Sequence, residues 1–221
     1  MLDYKDARDK FIDSEFKQIG FNLQVARNEA IIFSTKKAWA DMYTINIENI
    51  KAITRDAKVY TEVMGGLHDL VDDLLKECNG KSAIEFDEIH RKFCDQFIGI
   101  MTEKLGYDFS GYFGKAQKFI NMALKYLSCF ECLDAGMFKF CHMPLDVYTL
   151  HWIYQVTGVF INGWSKVGPD VYYQIQRDIR KAIPEDMTLL QYEFIIWEKE
   201  KQAMVDCDKL TIDKYNELKR I

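Results

Sequence analysis

Apolar residues recur at helical spacing along most of the chain, and this periodicity limits its fold more than any other feature. In residues 67–75 the apolar side chains follow the i, i+3, i+4, i+7 and i+8 spacing of a single helix face. Helical spacing also covers most of the remaining sequence: 3–19, 46–77, 84–104, 115–131, 147–156, 169–182, 187–204 and 211–220. We therefore predict an all-α protein of about eight to ten helices, with little or no sheet.

Three short stretches interrupt the helical spacing. Within residues 46–77, the pair Gly65-Gly66 predicts a break, because adjacent glycines weaken a helix. Asn79-Gly80 predicts the end of that helix. The apolar run Ile31–Phe33, within residues 24–35, predicts a short hairpin or an edge strand.

The length of 221 residues suits one compact domain, or two small lobes that share a core. No run approaches the roughly 20 apolar residues of a membrane span, so we predict no membrane partner. The first ten residues, MLDYKDARDK, are charged and lack the apolar centre of a signal peptide. We therefore predict a cytoplasmic protein.

The six cysteines are predicted to be reduced thiols, since no secretory signal points to an oxidising compartment. They stand at positions 78, 94, 129, 132, 141 and 207. Cys129 and Cys132, with Cys141 and His142, form an alternative metal or redox site. The spacing between these pairs is not that of a usual zinc finger, and free cysteines commonly lie in cores. We favour buried thiols and predict no metal.

A local basic stretch lies inside an acidic chain. The net charge is −5, whereas small nucleic-acid binders are more often basic. This argues only weakly against DNA, because binding depends on local charge. Between Asp108 and Glu131 there is no acidic residue, and three lysines fall there: Lys115, Lys118 and Lys125.

The segment GKAQKFINMALKYL, residues 114–127, has the spacing of an amphipathic helix. One stripe is apolar, and Lys118, Asn121 and Lys125 fall on another face, with Lys115 one turn earlier. Like charges on one face repel by only a few tenths of a kcal/mol per pair. The pattern fits a solvated face, a face that meets an anion, or a face that meets acids from elsewhere in the fold.

A second segment, CHMPLDVYTLHWI, places an aspartate directly after a proline turn. Asp146 can accept hydrogen bonds from the first free N–H groups of a helix over 147–156. The helix dipole favours the ionised form of a carboxylate in this place. Asp146 is therefore either a structural N-cap, worth about 1 kcal/mol, or a fixed carboxylate in an active site.

The turn with glycines, the lysine helix and the Pro-x-Asp segment together resemble the helix-hairpin-helix DNA glycosylases. PLDVYTLHWIYQ resembles the Pro-Val-Asp segment that carries their essential aspartate. QKFINMALKYL is similar to the lysine helix of the archaeal 8-oxoguanine DNA glycosylases, where a second lysine follows after seven residues, as Lys125 follows Lys118. The similarity covers about residues 105–157. LLQYEFIIWE, at 189–198, resembles the C-terminal segment whose tryptophan lies near the base pocket in the archaeal group.

The resemblance implies a single two-lobed helical domain over residues 1–221, with a helix-hairpin-helix element and a cleft between the lobes. Residues 46–157 would carry the hairpin and the lysine helix, and the N- and C-terminal helices would form the other lobe. The implied function is a DNA glycosylase, with or without AP-lyase activity, that excises a damaged or modified base from double-stranded DNA as a monomer. Lys118 would attack the sugar as a free amine and form a Schiff base, and Asp146 would activate it or stabilise developing charge.

The same resemblance assigns further residues. Gly111 and Gly114 would contact DNA. The predicted substrate-binding residues are Gln117, Asn121, Lys125, Trp152 and Trp197, with Trp164 as a further stacking candidate. The stretch from Gly111 to Gly114 is one residue longer than the usual hairpin, so Lys115, nearer to it, competes with Lys118 as nucleophile. The cysteine pattern of the iron–sulfur glycosylases is absent, and no cofactor is predicted.

A non-catalytic helical module that binds a protein or a nucleic acid is the alternative function. The acidic balance and the many aromatic residues favour it. On this interpretation Lys118 is a solvated or ion-paired lysine and Asp146 is only a helix cap. His142 and His151 are predicted to be hydrogen-bonded polar groups and not catalysts.

Overall fold

Eight α-helices make up most of the part of the chain that the structure describes. A computed structural model describes residues 3–43 and 56–206, and these contain no β-strand. The helices are α1 (Tyr4–Glu15), α2 (Arg27–Tyr43), α3 (Ala57–Cys78), α4 (Ala83–Leu105), α5 (Phe113–Leu127), α6 (Val147–Thr157), α7 (Pro169–Ala182) and α8 (Leu189–Asp206). Short 3₁₀ turns cover 17–19, 135–138 and 164–166. The all-α prediction is confirmed.

The predicted strand around Ile31–Phe33 is wrong, because these residues lie inside α2. The apolar run contributes two buried side chains, Ile31 and Phe33, and one that is exposed, Ile32. Ala38 and Met42 continue the buried face two and three turns after Ile31, which is helical spacing. α2 packs against α3 and α5, and this packing outweighs the strand preference of a short β-branched run.

The predicted break at Gly65-Gly66 is also wrong, since α3 continues through both glycines. A Cβ atom on Gly66 would stand 3.6 Å from the Ile100 side chain of α4. Tertiary packing of the apolar face offsets the low helix propensity of glycine. α3 ends at Cys78, as Asn79-Gly80 predicts. The predicted helix over 211–220 and the first part of the predicted helix over 46–77 lie outside the described residues.

Local sequence signals explain the ends of the helices that lead to α5. Ser82 and Glu85 form a capping box at the start of α4. Gly106 closes α4 in the left-handed conformation, with φ 59°. The chain turns through 106–112 and enters α5 at Phe113, so Gly114 lies in the first turn of the helix and not in the loop before it. The helix-hairpin-helix assignment and the two-lobed cleft stay predictions.

α5 is the central helix of the fold. α2 and α4 pack along it, and the 164–166 turn lies against it. α1 packs against α8, and α6 packs against both α7 and α8. One contiguous hydrophobic core draws residues from all eight helices. No helix within 3–43 and 56–206 combines the length and the apolar character that a membrane crossing requires.

Candidate active site

α5 is buried around its whole circumference, although its sequence has the pattern of an amphipathic helix. Every residue of Phe113–Leu127 is buried, the three lysines included. The exposed fractions are 1% for Lys115, 8% for Lys118 and 0% for Lys125. Because a buried charge is costly without partners, these lysines need acids or aromatic rings from other helices. The solvated-face interpretation of the lysine pattern is therefore wrong.

Lys125 forms a fully buried ion pair with Glu193 of α8. Its ammonium Nζ lies 2.9 Å from one carboxylate oxygen of Glu193 and 2.7 Å from the other, and neither side chain is exposed. The rings of Phe11, Phe194 and Trp197 surround the ammonium with centroids at 4.1–4.9 Å. Lys125 was predicted to bind substrate, but its ammonium group pairs with Glu193 within the protein.

Glu193 was missed by the sequence analysis, although its position carried a signal. It follows Leu189 and Leu190 by one turn and precedes Trp197 by one turn, so it is an acid on the apolar face of α8. The pKa of Glu193 is raised to about 7, chiefly by burial; the charge of Asp146 acts in the same direction, and Lys125 and Lys118 act against it. A lone acid on an apolar helix face predicts a buried partner, which here is Lys125.

Lys115 and Lys118 converge on one indole ring, that of Trp164. The Lys118 ammonium lies 4.5 Å from the ring centroid, and the Lys115 ammonium lies 5.6 Å from it. Gly114 permits this approach, since a Cβ atom there would stand 2.2 Å from the Trp164 carbonyl oxygen. Gly114, predicted to contact DNA, is thus packed against the backbone of the 164–166 turn.

The Lys115 amine is buried and has no hydrogen-bond partner among the described residues. Burial lowers its pKa to about 8, and the neighbouring charge of Lys118 acts in the same direction. The contact with Trp164 is the attractive interaction that remains. A lysine in this state is a better nucleophile at neutral pH than a solvated lysine.

Asp146 caps α6 and is 4% exposed. Its Oδ1 accepts hydrogen bonds from the backbone N–H groups of Tyr148 at 2.9 Å and Thr149 at 3.0 Å. The Asp146 backbone N–H donates to the Thr149 hydroxyl, and that hydroxyl donates to the Pro144 carbonyl. The predicted N-cap is confirmed, and the cap fixes the carboxylate on the first turn of α6.

Lys118 and Asp146 lie close to the same buried acid. The charges of both act on Glu193, Asp146 raising its pKa and Lys118 lowering it. Lys118 and Asp146, 28 positions apart in sequence, therefore act electrostatically on the same buried acid of α8.

Asp41 of α2 is a second acid near Lys118 that the sequence analysis did not single out. It accepts a 2.7 Å hydrogen bond from the Tyr126 hydroxyl, and its pKa is raised by burial and lowered by Tyr126 and by the charge of Lys118. Lys37, one turn before Asp41, donates to Glu15 of α1 at 2.6 Å. No sequence signal marked Asp41, which lies outside every segment that was assigned a structure or a role.

The other predicted substrate-binding residues are engaged within the protein. The side-chain amides of Gln117 and Asn121 are buried and hydrogen-bond to each other, and Asn121 also donates to the Tyr172 hydroxyl. Trp152 packs against Tyr192. The Trp197 ring centroid lies 5.3 Å from that of Phe11 and 5.8 Å from that of Tyr148. Gly111, predicted to contact DNA, lies in the exposed turn before α5.

Behind the site, His142 is held in a buried polar network. Its Nε2 lies 2.8 Å from Asp87, and its Nδ1 lies 3.0 Å from the Tyr172 hydroxyl. Because the carboxylate can only accept, Nε2 donates to Asp87 and Nδ1 accepts from Tyr172. Burial lowers the pKa of His142 to about 4, although Asp87 acts in the opposite direction. The prediction that His142 is a hydrogen-bonded polar group is confirmed.

The five cysteines that the structure describes do not assemble a metal site. No group of three or more His, Cys, Asp or Glu side chains suited to a metal ion occurs within 3–43 and 56–206. Cys129 and Cys141 are buried, whereas Cys132 is exposed. Burial raises the pKa of Cys129 to about 12, so it is a protonated thiol at neutral pH.

Comparisons of this chain with models of known protein families, with curated protein sequences and with solved structures found no match. The candidate site consists of the buried Lys115 and Lys118 amines over the Trp164 ring and the Asp146 carboxylate that caps α6. It also includes the buried acid Glu193, on which the charges of Lys118 and Asp146 act.

Proposed function

We propose that this protein is a DNA glycosylase that excises a damaged or modified base, with Lys118 as nucleophile and Asp146 as the activating carboxylate. The observation that supports the proposal is that the Lys118 amine and the Asp146 carboxylate act with opposite sign on one buried acid, Glu193. Both side chains come from different helices and both are almost fully buried. A solvated lysine and an ordinary N-cap would not require this arrangement.

In the proposed reaction the Lys118 nitrogen attacks C1′ of the target nucleotide as a free amine. The new C–N bond forms as the glycosidic bond breaks, and the base leaves with the electron pair of that bond and takes up a proton. Positive charge builds on the sugar, and the Asp146 carboxylate is placed to stabilise it. The remaining amine proton then passes to the ring oxygen O4′ as the C1′–O4′ bond breaks, which gives a Schiff base between the Lys118 nitrogen and C1′.

Trp164 and Lys115 have supporting roles in the proposal. The indole of Trp164 lies against both amines and is buried in this structure; in the proposal an extruded base stacks on it once the site opens. The Lys115 amine lies beside Lys118 over the same indole ring. Since burial lowers the pKa of Lys115 to about 8, Lys115 is the named competitor for the nucleophile.

Borohydride trapping on a panel of duplexes, each with one oxidised, alkylated, deaminated or otherwise modified base, tests the proposal. A covalent adduct with at least one duplex is expected, and Lys118→Met should abolish it. Lys115→Met should weaken it, and the matched control Lys92→Met, an exposed lysine that pairs with Glu77, should leave it unchanged. Circular dichroism shows whether each variant retains its helices.

No adduct with any duplex, or an undiminished adduct in Lys118→Met, would exclude the mechanism. Loss of the adduct in Lys115→Met alone would move the nucleophile to Lys115. If the protein binds DNA without forming an adduct, or binds no DNA, the non-catalytic helical module becomes the better explanation.

A further inference from the structure

The short segment Met143–Asp146, which leads into α6, is held by two glutamine side chains from different helices. Gln176 of α7 accepts from the Met143 N–H at 3.1 Å and donates to the Met143 carbonyl at 2.8 Å. Gln117 of α5 accepts from the Leu145 N–H at 3.3 Å and donates to the Leu145 carbonyl at 3.2 Å. Each glutamine thus pairs with both backbone groups of one residue, as a neighbouring strand would.

The Gln117 amide uses all of its hydrogen-bonding capacity within the protein. Its nitrogen donates to the Gly114 carbonyl at 2.9 Å as well as to Leu145, and its oxygen accepts from Asn121 at 3.1 Å as well as from Leu145. A side-chain amide has two donors and two acceptor positions, and all four are occupied here. Nothing remains on Gln117 for a substrate, which points to a different role.

Gln117 and Leu145 are the immediate chain neighbours of the two proposed active-site residues. Gln117 precedes Lys118, and Leu145 precedes Asp146. The cap bonds from Tyr148 and Thr149 fix the Asp146 carboxylate relative to α6. They do not fix α6 relative to α5. The pairing of Gln117 with Leu145 supplies that second constraint, between the helix of Lys118 and the start of the helix that Asp146 caps.

We propose that Gln117 is a positioning residue that holds the Asp146 carboxylate in register with the Lys118 side of the site. The consequence of Gln117 for catalysis rests on the proposed function, whereas the effect of Gln117 on the position of Asp146 does not. Gln176 makes the same pair of bonds to Met143, which is separated from Asp146 by Pro144 and Leu145. It is therefore the matched control for a role that only satisfies buried backbone groups.

Gln117→Met and Gln176→Met each remove one such clamp at nearly constant side-chain volume. The first measurement is the titration of Glu193, followed by ¹³C NMR of protein labelled at glutamate carboxyls. Glu193 is faced by Lys125, Lys118 and Asp146. If Asp146 moves away in Gln117→Met, the Glu193 midpoint shifts downward, since a like charge that raises it is lost. Gln176→Met should leave the midpoint in place.

The second measurement is the rate of borohydride-trapped adduct formation on the duplex that wild type uses best. A misplacement of about 1 Å costs on the order of 100-fold in rate, so Gln117→Met should be slowed by about that factor. Gln176→Met should retain a rate within about threefold of wild type, although its loss of thermal stability should be comparable to that of Gln117→Met. Equal behaviour of the two variants in both measurements would overturn the positioning role.

The two proposals fail separately in this experiment. If wild type forms no adduct but Glu193 shifts only in Gln117→Met, the DNA chemistry is wrong and the positioning role stands. If wild type forms the adduct and neither readout separates the variants, the positioning role is wrong. Should Gln117→Met fail to fold, Gln117→Asn keeps a polar amide that is one methylene shorter, and the same downward shift is expected.

Discussion

Lys125 and Glu193 form an ion pair in which both side chains are completely removed from solvent. The pair joins α5 to α8, and the rings of Phe11, Phe194 and Trp197 enclose it. In such surroundings a charge left without its partner is costly, whereas removal of both charges together is often well tolerated.

Single substitutions at this pair are expected to be more damaging than the double substitution. Lys125→Met and Glu193→Met should each lower the free energy of unfolding by about 3–5 kcal/mol, because each strands one buried charge. The double variant should be more stable than either single variant. Urea unfolding of the four proteins measures the coupling, and additive losses would contradict the buried pair.

Two substitutions at Asp146 separate its capping role from its proposed chemical role. Asp146→Asn keeps an oxygen for the Tyr148 and Thr149 N–H groups, so stability should stay close to wild type. Asp146→Ala should lose about 1 kcal/mol or more of the unfolding free energy. Both should lose adduct formation, since neither has a carboxylate. Full activity in Asp146→Asn would reduce Asp146 to a helix cap.

Gly114 is expected to tolerate no side chain, whereas Gly111 is expected to tolerate one. In Gly114→Ala the new methyl group would meet the Trp164 carbonyl oxygen at 2.2 Å, so the turn must move, at a cost of about 1–3 kcal/mol. Gly111 has no atom within 4 Å of its Cβ position, and Gly111→Ala should change stability by less than about 0.5 kcal/mol. Thermal unfolding compares the two; similar losses would show that the close approach is absent.

The neutral, buried His142 predicts a specific dependence of stability on pH. Burial lowers its pKa from 6.5 to about 4, so between these values the unfolded chain binds the proton and the folded protein does not. Its contribution is therefore complete above pH 6.5 and is lost as the pH falls toward 4, by on the order of 3 kcal/mol.

Glu193 acts in the opposite direction over much of this range, since burial raises its pKa to about 7. Comparison with His142→Gln removes this overlap, because Glu193 is present in both proteins. Urea unfolding from pH 4 to 7.5 should show a smaller acid-induced loss in the variant. Parallel curves would mean that the pKa of His142 is the same in the folded and the unfolded protein.

The sequence predicted helices well where an apolar face was unmistakable. α4, α6 and α7 lie within one or two residues of their predicted bounds, because glycine and proline signals mark their ends. It failed at α2 and at Gly65-Gly66, where local propensity and tertiary packing disagree. Propensity is a weak prior, and the contacts that overrule it come from residues distant in sequence.

In the candidate site, too, the features set by local sequence were predictable and those set by tertiary packing were not. The Asp146 cap followed from proline and aspartate at the start of a helix, which is local information. That the lysine face of α5 is enclosed was not predictable from α5 itself, since acids and rings from α1, α2 and α8 cover it. Glu193 carried a sequence signal, because it is an acid on the apolar face of its helix, but no sequence signal predicted the pairing of Gln117 with Leu145.

The enclosure of α5 on all sides has a consequence for how the molecule opens. A helix at the surface can fray or detach alone, but α5 has neighbours around its whole circumference and cannot separate without dismantling them. Its amide hydrogens should therefore exchange with solvent only when the entire protein unfolds. The segment that carries the proposed nucleophile would then be the most slowly exchanging part of the chain, and any motion that admits a substrate must come from the elements around it.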